Sequence, residues 1–257
     1  SACRESVARR GTCRQFLIRA GARSRTFLVL RNLFLILTLA CLAACGEPVP
    51  QGDSSSKILL LGDSMMAWNR ASGRSIGQVL EAGLDEEVTD RSVIGARYFY
   101  ALPVSGKAGM RISRQYREGD WDWVVMNGGG NDLLFGCACS ACRHMLDRLI
   151  SEDGRAGEIP AFVKALRERG ARVLYVGYLR NPGVQTPIKG CGPAGNELDR
   201  RLALLEGLDP GFFFVSLQDL VPWKDRSFHA RDLIHPSAKG SREIALRILQ
   251  RLSAVEG

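Results

Sequence analysis

Three histidines are all that the 257 residues hold, so an imidazole base has to be His144, His229 or His235. Acidic residues are nearly missing from the first 45 positions, where Glu5 stands alone against eight arginines. The whole chain has Lys+Arg 35 against Asp+Glu 27, a net +8; beyond Cys45 the balance is 27 basic to 26 acidic. The excess of positive charge belongs to the leader, and no nucleic-acid footprint is expected over the rest. The leader's apolar run, "LFLILTLACLAAC" at 33–45, falls short of the roughly 20 residues that a membrane span needs. It suits the apolar core of an export signal instead. Repeats are lacking, and biased composition is confined to "GEPVPQGDSSS" at 46–56, which reads as a flexible tether.

The end of the leader, Leu42-Ala43-Ala44-Cys45, resembles the lipobox of bacterial lipoproteins. That resemblance implies lipidation of Cys45, which would become the first residue of the mature chain. It also implies a protein of the bacterial cell envelope, exported, lipid-anchored and facing the periplasm. Gly46, in place of Asp, favours the outer membrane over the inner. A plain cleaved signal or an anchor helix is the alternative.

From Lys57 onward apolar runs alternate with helical patterns, as in an α/β domain with a mainly parallel sheet. Strands are expected at 57–61, over "EEVTDRSVI" as far as Ile94, over "WDWVVMN" closing at Asn127, at 171–179 and over "GFFFVSL". Helices are expected within 70–82, over "ISRQYREG", at about 140–151 and 159–169, over "GNELDRRLALLEGL" and over "SAKGSREIALRILQRLSAV". Ile244, Leu246, Ile248, Leu249 and Leu252 approximate the buried face of the last helix. The result is one domain over 57–257, three-layered α/β/α with five strands.

Functional groups in such sheets collect at the carboxyl ends of strands. Four stretches fall there: Gly62-Asp63-Ser64, then Gly95 in "SVIGARYFY", then "NGGGNDLL", then "RDLIHPS" before the last helix. A serine hydroxyl needs a base, and the base needs an orienting group. His235 supplies the first and Asp232 the second, with Ser64 as nucleophile. The backbone N–H groups of Ser64 and Gly95 and the amide of Asn131 are candidate donors to an oxyanion.

In this order, Gly-Asp-Ser, Gly95, Gly129-Gly130-Asn131-Asp132 and Asp232-Leu233-Ile234-His235 resemble the SGNH or GDSL-type hydrolases. The name-giving residues map to Ser64, Gly95, Asn131 and His235. The resemblance implies a flavodoxin-like sheet, no cofactor, and hydrolysis of esters or thioesters through an acyl-serine. No asparagine precedes Gly95, which makes it the weakest match. Each residue also has a plainer reading. Ser64 could cap a helix. His229 could be a second base or a substrate contact, and His144 a surface residue. Asp63 and Asp132 are expected to hold loops, and Tyr98, Phe99 and Tyr100 to pack in the core rather than line an acyl pocket.

Cys137, Cys139 and Cys142 cluster after the Asn131 loop, and Cys191 lies alone in the loop after the fourth strand. Four such cysteines fit a zinc site or two disulfides, and an oxidising compartment favours disulfides. A Cys137–Cys139 ring is the least favoured pairing, so Cys191 is expected to bond one member of the cluster and staple the loop 180–193. The reading is therefore a serine ester hydrolase acting on an acylated lipid, glycan or small ester, with no metal. Its rivals are a non-catalytic envelope-binding lipoprotein and a periplasmic metal-binding lipoprotein.

Overall fold

The structure, a computed structural model, describes residues 56–257. The leader, Cys45 and all but the last residue of the expected tether lie outside the described residues. Ser56, that last residue, is buried; its hydroxyl donates to the Glu87 and Ile58 carbonyls at 2.8 and 3.0 Å.

Five parallel strands form one sheet in the order β2-β1-β3-β4-β5: β1 Ile58–Leu61, β2 Val88–Asp90, β3 Trp123–Met126, β4 Arg172–Val176 and β5 Phe212–Val215. This is the flavodoxin-like order, with its switch point between β1 and β3. Apolar runs such as Ile58-Leu59-Leu60-Leu61 suit central parallel strands because both faces are covered. Leu59, Leu61, Val124, Met126, Val173 and Tyr175 point into one core, and Ile58, Leu60, Val125, Leu174 and Val176 into the other.

The first core is closed by α4 (Arg143–Leu149), α5 (Glu158–Arg167) and α6 (Gly192–Glu206). The second is closed by α1 (Ser64–Ala67), α2 (Ile76–Leu84) and α7 (Ala238–Glu256). Another helix, α3 (Gly130–Cys137), lies at the carboxyl end of β3. Among the described residues, the five strands pack between two cores.

Four expectations are corrected. The second strand stops at Asp90, whose carboxylate accepts from the Ser92 N–H (2.9 Å) and hydroxyl (2.6 Å) in a local turn, while the Arg91 and Val93 N–H groups still follow β1, donating to Leu60 O (2.9 Å) and Gly62 O (3.0 Å). "ISRQYREG" forms only a single 3-10 turn, Ile112–Arg114, since Gln115 leaves it to bond the backbone of Gly62. The Asn131 stretch, expected as a loop, is the first turn of α3. In α7 the buried face uses Ala245 in place of Leu246, which is half-buried.

Candidate active site

β1 ends at Gly62 (φ +146°), where a Cβ would lie 1.9 Å from Asn127 Oδ1. Asn127 comes that close because it grips the next residue: Oδ1 accepts from Asp63 N (3.0 Å) and Nδ2 donates to Asp63 Oδ1 (2.9 Å). On the other side, Gln115 accepts from Gly62 N at 2.7 Å and donates to Gly62 O at 2.8 Å. Asp63 then caps α1, accepting from Met65 N at 3.0 Å. Since Asp63 is the cap, Ser64 is not, and its hydroxyl is left for other chemistry.

That hydroxyl meets His235. Nε2 lies 2.9 Å from Ser64 Oγ, and Nδ1 lies 2.6 Å from Asp232 Oδ2. Asp232 Oδ1 accepts from the N–H groups of Ile234 and His235, both at 3.0 Å, in a tight turn with Leu233 at φ +57°. Burial pushes the Asp232 carboxyl up, but the bonds from His235 and the two N–H groups prevail and hold it below the ordinary carboxylate value. A carboxylate, an imidazole and a serine hydroxyl thus stand in one hydrogen-bonded line, with Asp232 placed to fix the tautomer that leaves Nε2 facing Ser64.

Two of the expected oxyanion donors come from segments that bond each other. Asn131 Nδ2 donates to Ala96 O at 3.1 Å, which ties α3 to the Gly95 turn (φ +79°). Among the described residues no protein acceptor takes the N–H of Ser64 or of Gly95. Asp132 holds that turn from the other side, accepting from Tyr98 N at 3.0 Å and Phe99 N at 2.9 Å. Tyr98 is fully buried, with its hydroxyl 3.2 Å from that of Tyr175, so it packs in the core as expected.

Three contributors were not found from the sequence. Trp68 stacks on His235 with ring centroids 3.8 Å apart and planes 7° apart. Its position four residues after Ser64, one helical turn on, is a signal that a search for titratable groups passes over. Tyr178, just beyond β4, donates to Asp63 Oδ2 and accepts from Gly130 N at 2.9 Å, bridging the Ser64 turn and α3. Gln115 sits in a stretch read as a helix.

His229 is buried in the loop that carries His235, and no bond joins it to Ser64 among the described residues. Burial lowers its pKa and favours the neutral ring, against the pull of Asp232. His144 is exposed on α4. The four clustered cysteines form two disulfides, Cys137–Cys142 (Cα–Cα 5.3 Å) and Cys139–Cys191 (4.7 Å). Cys191 thus pairs with the cluster and fastens the loop after β4 to the segment that follows α3. All four of these sulfurs are taken up in disulfides.

A GDSL-like lipase/acylhydrolase family model matches residues 60–243. Comparison with curated proteins finds no match. Among solved structures, a chain from Slackia heliotrinireducens described as an SGNH hydrolase is 18% identical, with TM-score 0.54, covering 77% of this chain and 99% of that one. The lipase Lip_vut3 from a goat rumen metagenome is 16% identical, with TM-score 0.51 and coverage of 76% and 96%. A family two carbohydrate esterase from Clostridium thermocellum, bound to cellohexaose, is 15% identical, with TM-score 0.51 and coverage of 79% and 65%. At these identities the likeness is one of fold.

Proposed function

The chain belongs to the GDSL-like lipase/acylhydrolase family, and on that premise we propose that it is an extracytoplasmic serine ester hydrolase working through an acyl-serine. The observation that carries the reading is the unbroken line from Asp232 through His235 to Ser64, at 2.6 and 2.9 Å. Ser64 Oγ bonds the acyl carbon while His235 Nε2 takes its proton. The carbonyl oxygen, now negative, is received by the N–H groups of Ser64 and Gly95 and by Asn131. His235 returns the proton to the leaving alcohol as the ester C–O bond breaks. Water, deprotonated by the same nitrogen, then releases the acid and frees Ser64.

The substrate is proposed as an acylated lipid, glycan or small ester of the cell envelope. The leader and Cys45 support placement there as a lipid-anchored, periplasm-facing protein, which mass analysis of the mature N-terminal peptide tests directly.

The test of chemistry is hydrolysis of p-nitrophenyl acetate, butyrate and octanoate by residues 46–257 beside Ser64→Ala. The variant is expected to lose on the order of 10⁵-fold or more in kcat. Equal turnover by a folded Ser64→Ala protein overturns the assignment. A wild-type domain that neither turns over esters nor is labelled at Ser64 by a fluorophosphonate is a binding protein instead.

A further inference from the structure

Between β2 and β3, residues 91–117 contain six basic side chains (Arg91, Arg97, Lys107, Arg111, Arg114 and Arg117) and no acidic one. Without them, the sequence beyond Cys45 has 21 basic residues against its 26 acidic ones. Positive charge is therefore concentrated on one segment of a slightly negative body. Arg91 is buried against Gln115, and Arg111 reaches Glu158 at 3.5 Å. Lys107, Arg114 and Arg117 form no ion pair with a carboxylate among the described residues, and Arg97 lies near Asp132 without a direct ion pair.

The same segment exposes apolar side chains. Ile94 is 51% exposed, Leu102 64% and Val104 85%, and Phe135 of α3 beside them is 65% exposed. Arg97 and Tyr100 connect Phe135 with the 100–105 stretch. The Arg97 guanidinium carbon lies 5.4 Å from the Phe135 ring centroid and 5.3 Å from that of Tyr100. The Tyr100 hydroxyl lies 3.0 Å from Ser105 Oγ, next to Val104. Phe135 is one helical turn from Asn131, so the patch borders the oxyanion side of the catalytic cleft. Clustered apolar exposure on a single domain marks an interaction site. Cations set among those side chains complement one surface in particular, a bilayer with phosphate headgroups above acyl chains.

We propose that the edge formed by residues 94–107 with Phe135 docks on an anionic phospholipid bilayer and turns the Ser64 cleft toward it. The docking needs no spanning segment: no helix among the described residues is long and apolar enough to cross a membrane. Resting on the hydrolase reading, it specifies the physical state in which the ester is met, as part of a membrane surface.

The experiment uses residues 46–257, so that the leader cannot itself bind lipid, and sediments the protein with phosphatidylglycerol/phosphatidylcholine or pure phosphatidylcholine vesicles. Binding is expected to the anionic vesicles, weakened by 0.5 M salt as screening of surface charge demands. Lys107→Ala should weaken binding roughly fivefold, the worth of one basic side chain at such a surface. Val104→Asp should abolish most of it, while butyrate hydrolysis in solution stays at the wild-type rate. Equal binding to neutral vesicles, no binding to either, or unchanged binding by Val104→Asp overturns the proposal. Vesicle binding by a domain inert toward esters would instead overturn the hydrolase reading alone.

Discussion

The proposed nucleophile, Ser64, and its proposed base, His235, are held by opposite means. The Ser64 turn is set into the core: Ser64 and Asp63 are buried, and side chains from three separate segments, Gln115, Asn127 and Tyr178, grip residues 62–63. The His235 turn is near the surface. It is shaped by its own Asp232, by the Trp68 ring, and by Asn69, whose Nδ2 donates to Pro236 O at 3.1 Å. One half of the site is rigid because the sheet is rigid. The other is a turn nearer the surface, held mainly by its own backbone bonds, such as Ala230 N to His235 O at 2.8 Å, so single side-chain substitutions there should act on catalysis with little effect on the fold.

The sharpest way to break the contrast is Asp232→Asn. It keeps the shape of the turn but exchanges an acceptor for a donor at His235 Nδ1, and so favours the wrong tautomer. A fall of about 10⁴ in kcat is expected, with thermal unfolding near that of the wild type. A large loss of melting temperature would show that the His235 turn is as deeply coupled to the core as the Ser64 turn.

A smaller effect is expected at Trp68. Its ring covers one face of the imidazole and, in the proposed mechanism, faces the positive charge on His235 once it holds the serine proton. A cation over an aromatic face contributes on the order of 1–2 kcal/mol when partly desolvated. Trp68→Leu should therefore lower kcat roughly tenfold with KM nearly unchanged, and Trp68→Phe should recover most of the loss. Equal defects in both variants, or a change confined to KM, would mean that Trp68 merely fills space.

The smallest effect separates the two halves by pH. Burial raises the pKa of Asp63 against its bonds from Tyr178, Asn127 and Met65, whereas Asp232 is lowered. A raised folded value means that the stability tied to Asp63 is fully present below the unfolded value of 3.8 and is lost as pH climbs through the folded value. A depressed one means that the contribution of Asp232 is present above 3.8 and is lost as pH falls through its folded value. Melting temperatures across pH 3–8 check this. Relative to Asp63→Asn, the wild type should lose ground as pH rises; relative to Asp232→Asn, it should gain ground as pH rises toward 3.8. Parallel profiles for the two variants would remove the distinction.

Much of this was legible in the chain. The three central strands, β1, β3 and β4, are apolar on both faces and could be located, whereas the edge strand β2 was placed with its end too far on; the candidate chemistry follows the carboxyl ends. Ser64, Asn131, Asp232 and His235 were legible because each is a reactive or polar type just past a strand or just before a helix. α3 was not legible. Its opening glycines have poor helix propensity, and the turn forms because Tyr178 takes up the Gly130 N–H and Asp132 binds the Tyr98 and Phe99 backbone. Gln115 was misread for a similar reason: a polar side chain in a helical pattern gives no sign that a strand exit 53 residues away will claim it.

By itself, then, the sequence determined the layers, the strands and the candidates for the reacting groups, because periodicity and residue type are local properties of the chain. The alignment of His235 under Trp68, the pairing of Cys139 with Cys191 across 52 residues and the seating of Gly62 against Asn127 were decided only by the tertiary structure. Each of these is a contact between segments far apart in the chain, and such contacts exist only once the sheet has brought those segments together.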